Sequence, residues 1–103
     1  MAKFKHTQGI SSAVFTKTIT VYCPLGKDFY TAELTVDFRP DEWMMDYIDV
    51  ENFIDKLQGS TNIIEDVVAK IHAHLNEEYQ PKYVKVVCNA TNAKHFPVIV
   101  TKE

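Results

Sequence analysis

Apolar residues recur along the chain with two different periods, and the changes of period mark its elements. From Ser60 to Tyr79, the stretch STNIIEDVVAKIHAHLNEEY sets Ile64, Val67, Val68, Ile71 and Leu75 three and four residues apart. That spacing gathers them into one stripe of an α-helix. Asn62 followed by Glu65 has the spacing of a capping box, which predicts the helix start, and Pro81 predicts its end. Period two governs Phe29–Phe38, where Tyr30, Ala32, Leu34, Val36 and Phe38 share a face against Thr31, Glu33, Thr35 and Asp37. Tyr83–Ala90 alternates in the same way, and Phe96–Lys102 aligns Phe96, Val98 and Val100, with Pro97 suited to an edge strand. Ser11–Cys23 is rich in Thr, Val, Ile and aromatics, which favours strand. Phe15, Ile19, Val21 and Cys23 form its apolar face, with Lys17 as the exception.

Punctuation completes the order. Pro24-Leu25-Gly26-Lys27-Asp28 is turn chemistry, so the first two strands should form an antiparallel hairpin. Arg39-Pro40-Asp41-Glu42 breaks the second strand, and Trp43-Met44-Met45 resumes extended structure. Asp49 reads as the N-cap of a short helix with Val50, Phe53, Ile54 and Leu57 on its apolar face and Gly59 as its stop. Asn89–His95 is polar and turn-prone. Residues 1–10 read as a flexible N-terminal arm, or one that pairs only within an assembly, and residues 11–103 as a single domain. The resulting order is ββααββ, an α+β sheet covered by helices on one side. Its free strand edges, and the apolar and aromatic residues of its other face, make closure with further copies of the chain the expected arrangement.

Bulk composition narrows the function classes. The 103 residues suit one domain, and 46% hydrophobic with 24% charged is ordinary for a globular protein. A net charge of −3 argues against nucleic-acid binding through a broad basic surface. No apolar run approaches the roughly 20 residues of a membrane span. The polar start MAKFKHTQG carries no signal-peptide core, so a cytoplasmic location is expected. There, Cys23 and Cys88 should be thiols.

Three residues stand out chemically. Cys23 ends a strand beside the Pro-Leu-Gly turn, where a thiol is either reachable and reactive or a small buried hydrophobe. Asp28 lies across that turn, within reach of proton exchange with a bound substrate. Glu65 lies in a helix first turn, which suits a ligand-binding carboxylate and equally a capping residue favoured by the helix dipole. His6, His72, His74 and His95 show no i, i+4 pair, so no metal is expected. Three glycines do not make a phosphate loop.

The ββααββ order with a glutamate opening the second helix resembles the tunnelling fold (T-fold), a superfamily that handles pterins and purine-like bases at sites between subunits. Cys23-Pro24, Phe38-Arg39-Pro40-Asp41-Glu42, Glu65-Asp66 and Pro81-Lys82-Tyr83-Val84-Lys85-Val86 resemble the 7-cyano-7-deazaguanine reductase family of queuosine biosynthesis, a transfer-RNA modification. That resemblance implies Cys23 attacking a nitrile to form a thioimide, Asp28 as the proton donor, and Glu65 holding the base. The Glu-Ser-Lys motif used for NADPH is replaced by Asp46-Tyr47-Ile48, so no cofactor and no NADPH reduction are expected. The histidine before the helix glutamate is Ile64, the Arg-Gly-Gly motif is missing around Ala93-Lys94-His95, and an ungapped alignment sets Tyr30 at the aspartate position. Only a shortened turn puts Asp28 there. Some relatives use the same cysteine without NADPH, adding an amine to the nitrile. MMDYIDVENFI and NIIEDVVAKI also resemble dihydroneopterin aldolase, although CNATNA stands where its lysine motif is expected. The MMDY stretch is shared with pyruvoyl-tetrahydropterin synthase, whose zinc histidines are missing. A T-fold protein that binds a base, or only itself, is the non-catalytic alternative. The expected partners are a purine- or pterin-like small molecule and further copies of the chain, with no membrane.

Overall fold

A computed structural model of the chain describes residues 3–91 and 95–103. Eight elements follow one another: β1 (Phe4–Lys5), β2 (Ala13–Cys23), β3 (Asp28–Arg39), β4 (Trp43–Met44), α1 (Tyr47–Asp55), α2 (Ile64–Tyr79), β5 (Tyr83–Ala90) and β6 (Val98–Lys102). The long strands make one antiparallel sheet in the order β2-β3-β5-β6. This is the predicted pair of hairpins with two helices between them, with the last strand starting at Val98 rather than Phe96. The turn expected over Asn89–His95 starts later than that, since β5 runs through Ala90, and residues 92–94 of the span lie outside the described residues.

Strand alternation sets the core. Tyr30, Ala32, Leu34, Val36 and Phe38 of β3 are buried, as are Val84, Val86, Cys88 and Ala90 of β5. Against them lies the α2 stripe of Val67, Val68, Ile71 and Leu75, with Tyr79 at its end meeting Phe38 edge-on at 6.1 Å. Lys17 breaks the β2 pattern because it meets acids of α1, with Asp55 at 3.2 Å and Glu51 at 3.8 Å. No helix among the described residues is long and apolar enough to cross a membrane.

Both helix starts differ from the sequence reading. Helix α1 is capped by Asp46, whose Oδ1 accepts from the Ile48 and Asp49 amides at 3.0 and 3.3 Å. Asp49 lies inside the first turn, where its Oδ2 accepts from the Tyr79 hydroxyl at 2.7 Å and contacts His74 Nε2 at 3.0 Å. Those two partners hold its carboxyl below the ordinary carboxylate value, outweighing the burial that pushes it up. At α2 the capping box does not form. The N-cap is Ile63 with no side-chain cap, because the Asn62 side chain is engaged by Lys70 and Ser60 instead. Gly59 does take the left-handed conformation, φ 72°, but α1 has already ended at Asp55.

Within residues 1–10, Phe4–Lys5 pairs antiparallel with Trp43–Met44, and the His6 amide donates to the Glu42 carbonyl at 2.8 Å. The pairing is therefore made inside the chain, where the sequence predicted a flexible arm.

Candidate active site

The β2–β3 hairpin fixes the first two candidate residues. Its register pairs Cys23 directly with Asp28 across the four-residue turn 24–27, so the turn is short enough to bring this aspartate to the cysteine. Residues directly opposite in an antiparallel pair share a face, with Cβ atoms about 4.5–5.5 Å apart. Val21 and Tyr30 continue that face and are buried against the helices, so the thiol and the carboxyl border the helix side of the sheet. The Gly26 amide donates to Cys23 Sγ at 3.4 Å. Such a contact strengthens as the sulfur gains negative charge. Asp28 Oδ1 accepts from the Phe29 amide at 2.8 Å, which orients the carboxylate. The second cysteine is a different species. Cys88 is fully buried and its thiol is pushed up to about 12 by burial, so it stays protonated.

Glu65 comes from the third side. The segment leading into α2 runs along the edge of β2, where the Tyr22 amide donates to the Ser60 carbonyl and the Asn62 amide to the Tyr22 carbonyl, both at 2.9 Å. This tether delivers the start of α2 to the Cys23 end of the hairpin. Glu65 is exposed in the first turn of a helix whose N-terminus no side chain caps. Its two sequence readings thus separate: it is not part of a capping box.

Cys23, Asp28 and Glu65 line one open cavity of about 440 Å³. Its size suits a small heterocycle. Two lining residues with polar side chains were not singled out as site members from the sequence, Tyr30 and His95. Tyr30 was legible in principle, since strand alternation sets it on the same face as Asp28. Its hydroxyl donates to the Asn62 carbonyl at 2.9 Å, and burial, with Cys23 nearby, raises its pKa above the ordinary tyrosine value. His95 follows the undescribed residues 92–94 and no periodic signal marks it. The other histidines are dispersed: His74 on Asp49, His72 beside Asn76, and His6 on the Asp41 carbonyl. Among the described residues no group of three or more His, Cys, Asp or Glu is placed to hold a metal ion. Asp46, standing where the cofactor motif would begin, spends its carboxylate on the α1 cap, and Ile48 is exposed.

No family model matches this chain, and no curated protein matches it. Solved structures do. An archaeosine synthase QueF-like protein in its apo form superposes with a TM-score of 0.84 at 18% identity, covering 92% of this chain and 94% of the other. A protein assigned as a dihydroneopterin aldolase (FolB) from Vibrio cholerae gives 0.63 at 11% identity, covering 90% and 98%. At these identities the likeness is one of backbone, and it agrees with the resemblance read from the residues: the chain has the tunnelling fold.

Proposed function

We propose that the chain binds a deazaguanine- or pterin-like base in this cavity and uses Cys23 on a nitrile without NADPH. The observation that carries the reading is the convergence of Cys23, Asp28 and Glu65 on one cavity from three separate segments. The higher TM-score with the archaeosine synthase QueF-like protein than with the aldolase favours a deazaguanine over a pterin.

On this reading the Glu65 carboxylate accepts neighbouring N–H groups of a guanine-like edge through two parallel bonds. The nitrile carbon then lies toward Cys23. Sulfur forms the C–S bond, one C–N π bond breaks, and the thiol proton passes by way of Asp28 to the nitrile nitrogen, giving a thioimide. An amine then attacks the same carbon. The thiolate leaves, the surplus amine proton returns to the site, and an amidine is released. Nitrile plus amine equals amidine, so no hydride is needed. The missing cationic NADPH motif is consistent with that balance.

The open cavity also argues for assembly. Leu25 (80% exposed), Phe96 (73%) and Ile99 (65%) lie on or near the cavity turn and the β6 edge of the sheet. Apolar groups at an unpaired edge are what a further copy of the chain would cover. The proposal therefore includes a ring-like homo-oligomer with the site between subunits, and light scattering showing a monomer at micromolar concentration would remove that part.

The test is mass spectrometry of the purified chain with 7-cyano-7-deazaguanine. The wild type should gain the mass of the base on Cys23, Cys23→Ala should not, and ammonia should discharge the adduct with no NADPH consumed. Binding without an adduct would leave a base-binding module, and NADPH-dependent turnover would contradict the amine route. A thermal-shift panel of purines and pterins separates the two classes of base.

A further inference from the structure

Asn62, 7% exposed, is the only Asn, Gln, Ser, Thr, His or charged residue that is buried among the described residues. All four of its hydrogen-bonding groups are engaged. Its amide donates to the Tyr22 carbonyl at 2.9 Å, and its carbonyl accepts from the Tyr30 hydroxyl at 2.9 Å. Its Nδ2 donates to Ser60 Oγ at 2.8 Å, and its Oδ1 accepts from Lys70 Nζ at 2.6 Å. These bonds reach β2, β3, the connecting segment and α2. A buried amide this fully satisfied specifies one arrangement of the elements it joins.

The positions of its partners matter more than their number. Tyr22 immediately precedes Cys23, Tyr30 lies two residues beyond Asp28 on the same face, and Asn62 lies three residues before Glu65. Lys70 sits on α2 itself, two turns further on. One residue therefore ties the backbones that carry the thiol, the acid and the base-binding carboxylate. The Asn62 side chain is absent from the α2 cap because it is committed to this junction.

Resting on the base-binding reading above, we infer that Asn62, with Tyr30 and Lys70, is a positioning hub that sets the distance from Glu65 to Cys23. Tyr30 acts through Asn62 and is a positioning residue, although its ring lines the cavity. The hub lets a base held at Glu65 present its substituent to the sulfur. Loosening it leaves the base bound but the nitrile misplaced, and a displacement on the order of 1 Å lowers a rate about 100-fold.

The experiment compares the full chain with Tyr30→Phe and Lys70→Met. Tyr30→Phe keeps the ring and removes one hydroxyl. Lys70→Met releases Asn62 Oδ1 from outside the cavity, so it serves should the first variant fail to fold. Three quantities are measured: the dissociation constant of nitrile-free 7-deazaguanine, the rate of Cys23 adduct formation with 7-cyano-7-deazaguanine, and amide exchange at Asn62, Asp66 and Val67. A hub gives a base affinity within about threefold of wild type, an adduct rate at least about tenfold lower, and exchange at those amides about tenfold faster. A lowered melting temperature with an unchanged adduct rate in the folded fraction would overturn the inference, because a merely structural bond does that. Unchanged exchange in both variants would also overturn it, with or without ligand. A wild-type chain that binds no base would instead overturn the base-binding reading, and with it the role inferred here.

Discussion

Glu65→Gln separates the ligand role of this residue from its structural one. Among the described residues no side chain caps the start of α2, and Glu65 accepts no hydrogen bond from them. Its structural contribution is therefore limited to a negative charge in the first turn, about 0.3–1 kcal/mol from the helix dipole. In a domain of this size that corresponds to a fall in melting temperature of about 1–8 °C. Its contribution to binding is larger on the proposed reading. A hydrogen bond to a charged group is worth about 1.5–3 kcal/mol, and Gln also turns an acceptor into a donor facing the N–H of the base. A loss of about 1.5–3 kcal/mol weakens binding by about 10- to 150-fold. Both quantities can be read from one sample, by calorimetric titration with 7-deazaguanine and by a thermal melt without ligand. Unchanged affinity with a lowered melting point would show that the carboxylate serves only the helix. The bonds of Asn62 to Tyr30 and Lys70 do not involve Glu65, so they hold the start of α2 in this variant as in the wild type.

The two thiols should react very differently. Iodoacetamide at neutral pH should modify Cys23, half-buried at the cavity, and leave Cys88 untouched until the protein unfolds, because burial holds that thiol protonated up to about 12; peptide mapping showing equal labelling would contradict the packing of β5. Acid stability should depend on Asp49. Its folded pKa lies below the ordinary 3.8, the hydrogen bonds from Tyr79 and His74 and the charge of His74 outweighing burial. Its contribution is thus fully present above 3.8 and is lost as pH falls through the lower folded value. Melting curves of Asp49→Asn should therefore show less acid dependence below about pH 4 than those of the wild type, and parallel curves would refute the linkage.

The order of elements was legible because it rests on period. Alternation over Phe29–Phe38 and Tyr83–Ala90, and the stripe from Ile64 to Leu75, each repeat one rule several times, so no single contact could overturn them. Caps rest on single side chains, and there the sequence misled. Asp46 and Asp49 are both sound N-caps three residues apart. What separates them is Tyr79 and His74, thirty and twenty-five residues away, which draw the Asp49 carboxylate inward and leave the helix start to Asp46. Asn62 has the right spacing from Glu65, but Lys70 and Ser60 take its side chain. The pairing of Phe4–Lys5 with Trp43–Met44 joins two dipeptides too short to carry any period. The candidate site residues stood out through resemblance rather than pattern, since a cysteine at a strand end and a glutamate in a first turn are ordinary on their own.

Two residues compete for the acid in the proposed reaction, and the hairpin register favours Asp28. Alignment without a gap sets Tyr30 at the family's aspartate, and Tyr30 does line the cavity. Yet its hydroxyl proton is already directed at the Asn62 carbonyl, and burial raises its pKa above the ordinary tyrosine value, so it holds that proton rather than passing it on. Asp28 is the directly paired neighbour of Cys23, and its carboxyl can both take and return a proton. A turn of four residues is what brings it there; two more residues in the turn would move Asp28 out of the pair with Cys23. On the proposed reading, the short turn that shifts Asp28 in the alignment also sets it beside Cys23. Tyr30 is left bonded to the Asn62 carbonyl, on the segment that leads into α2.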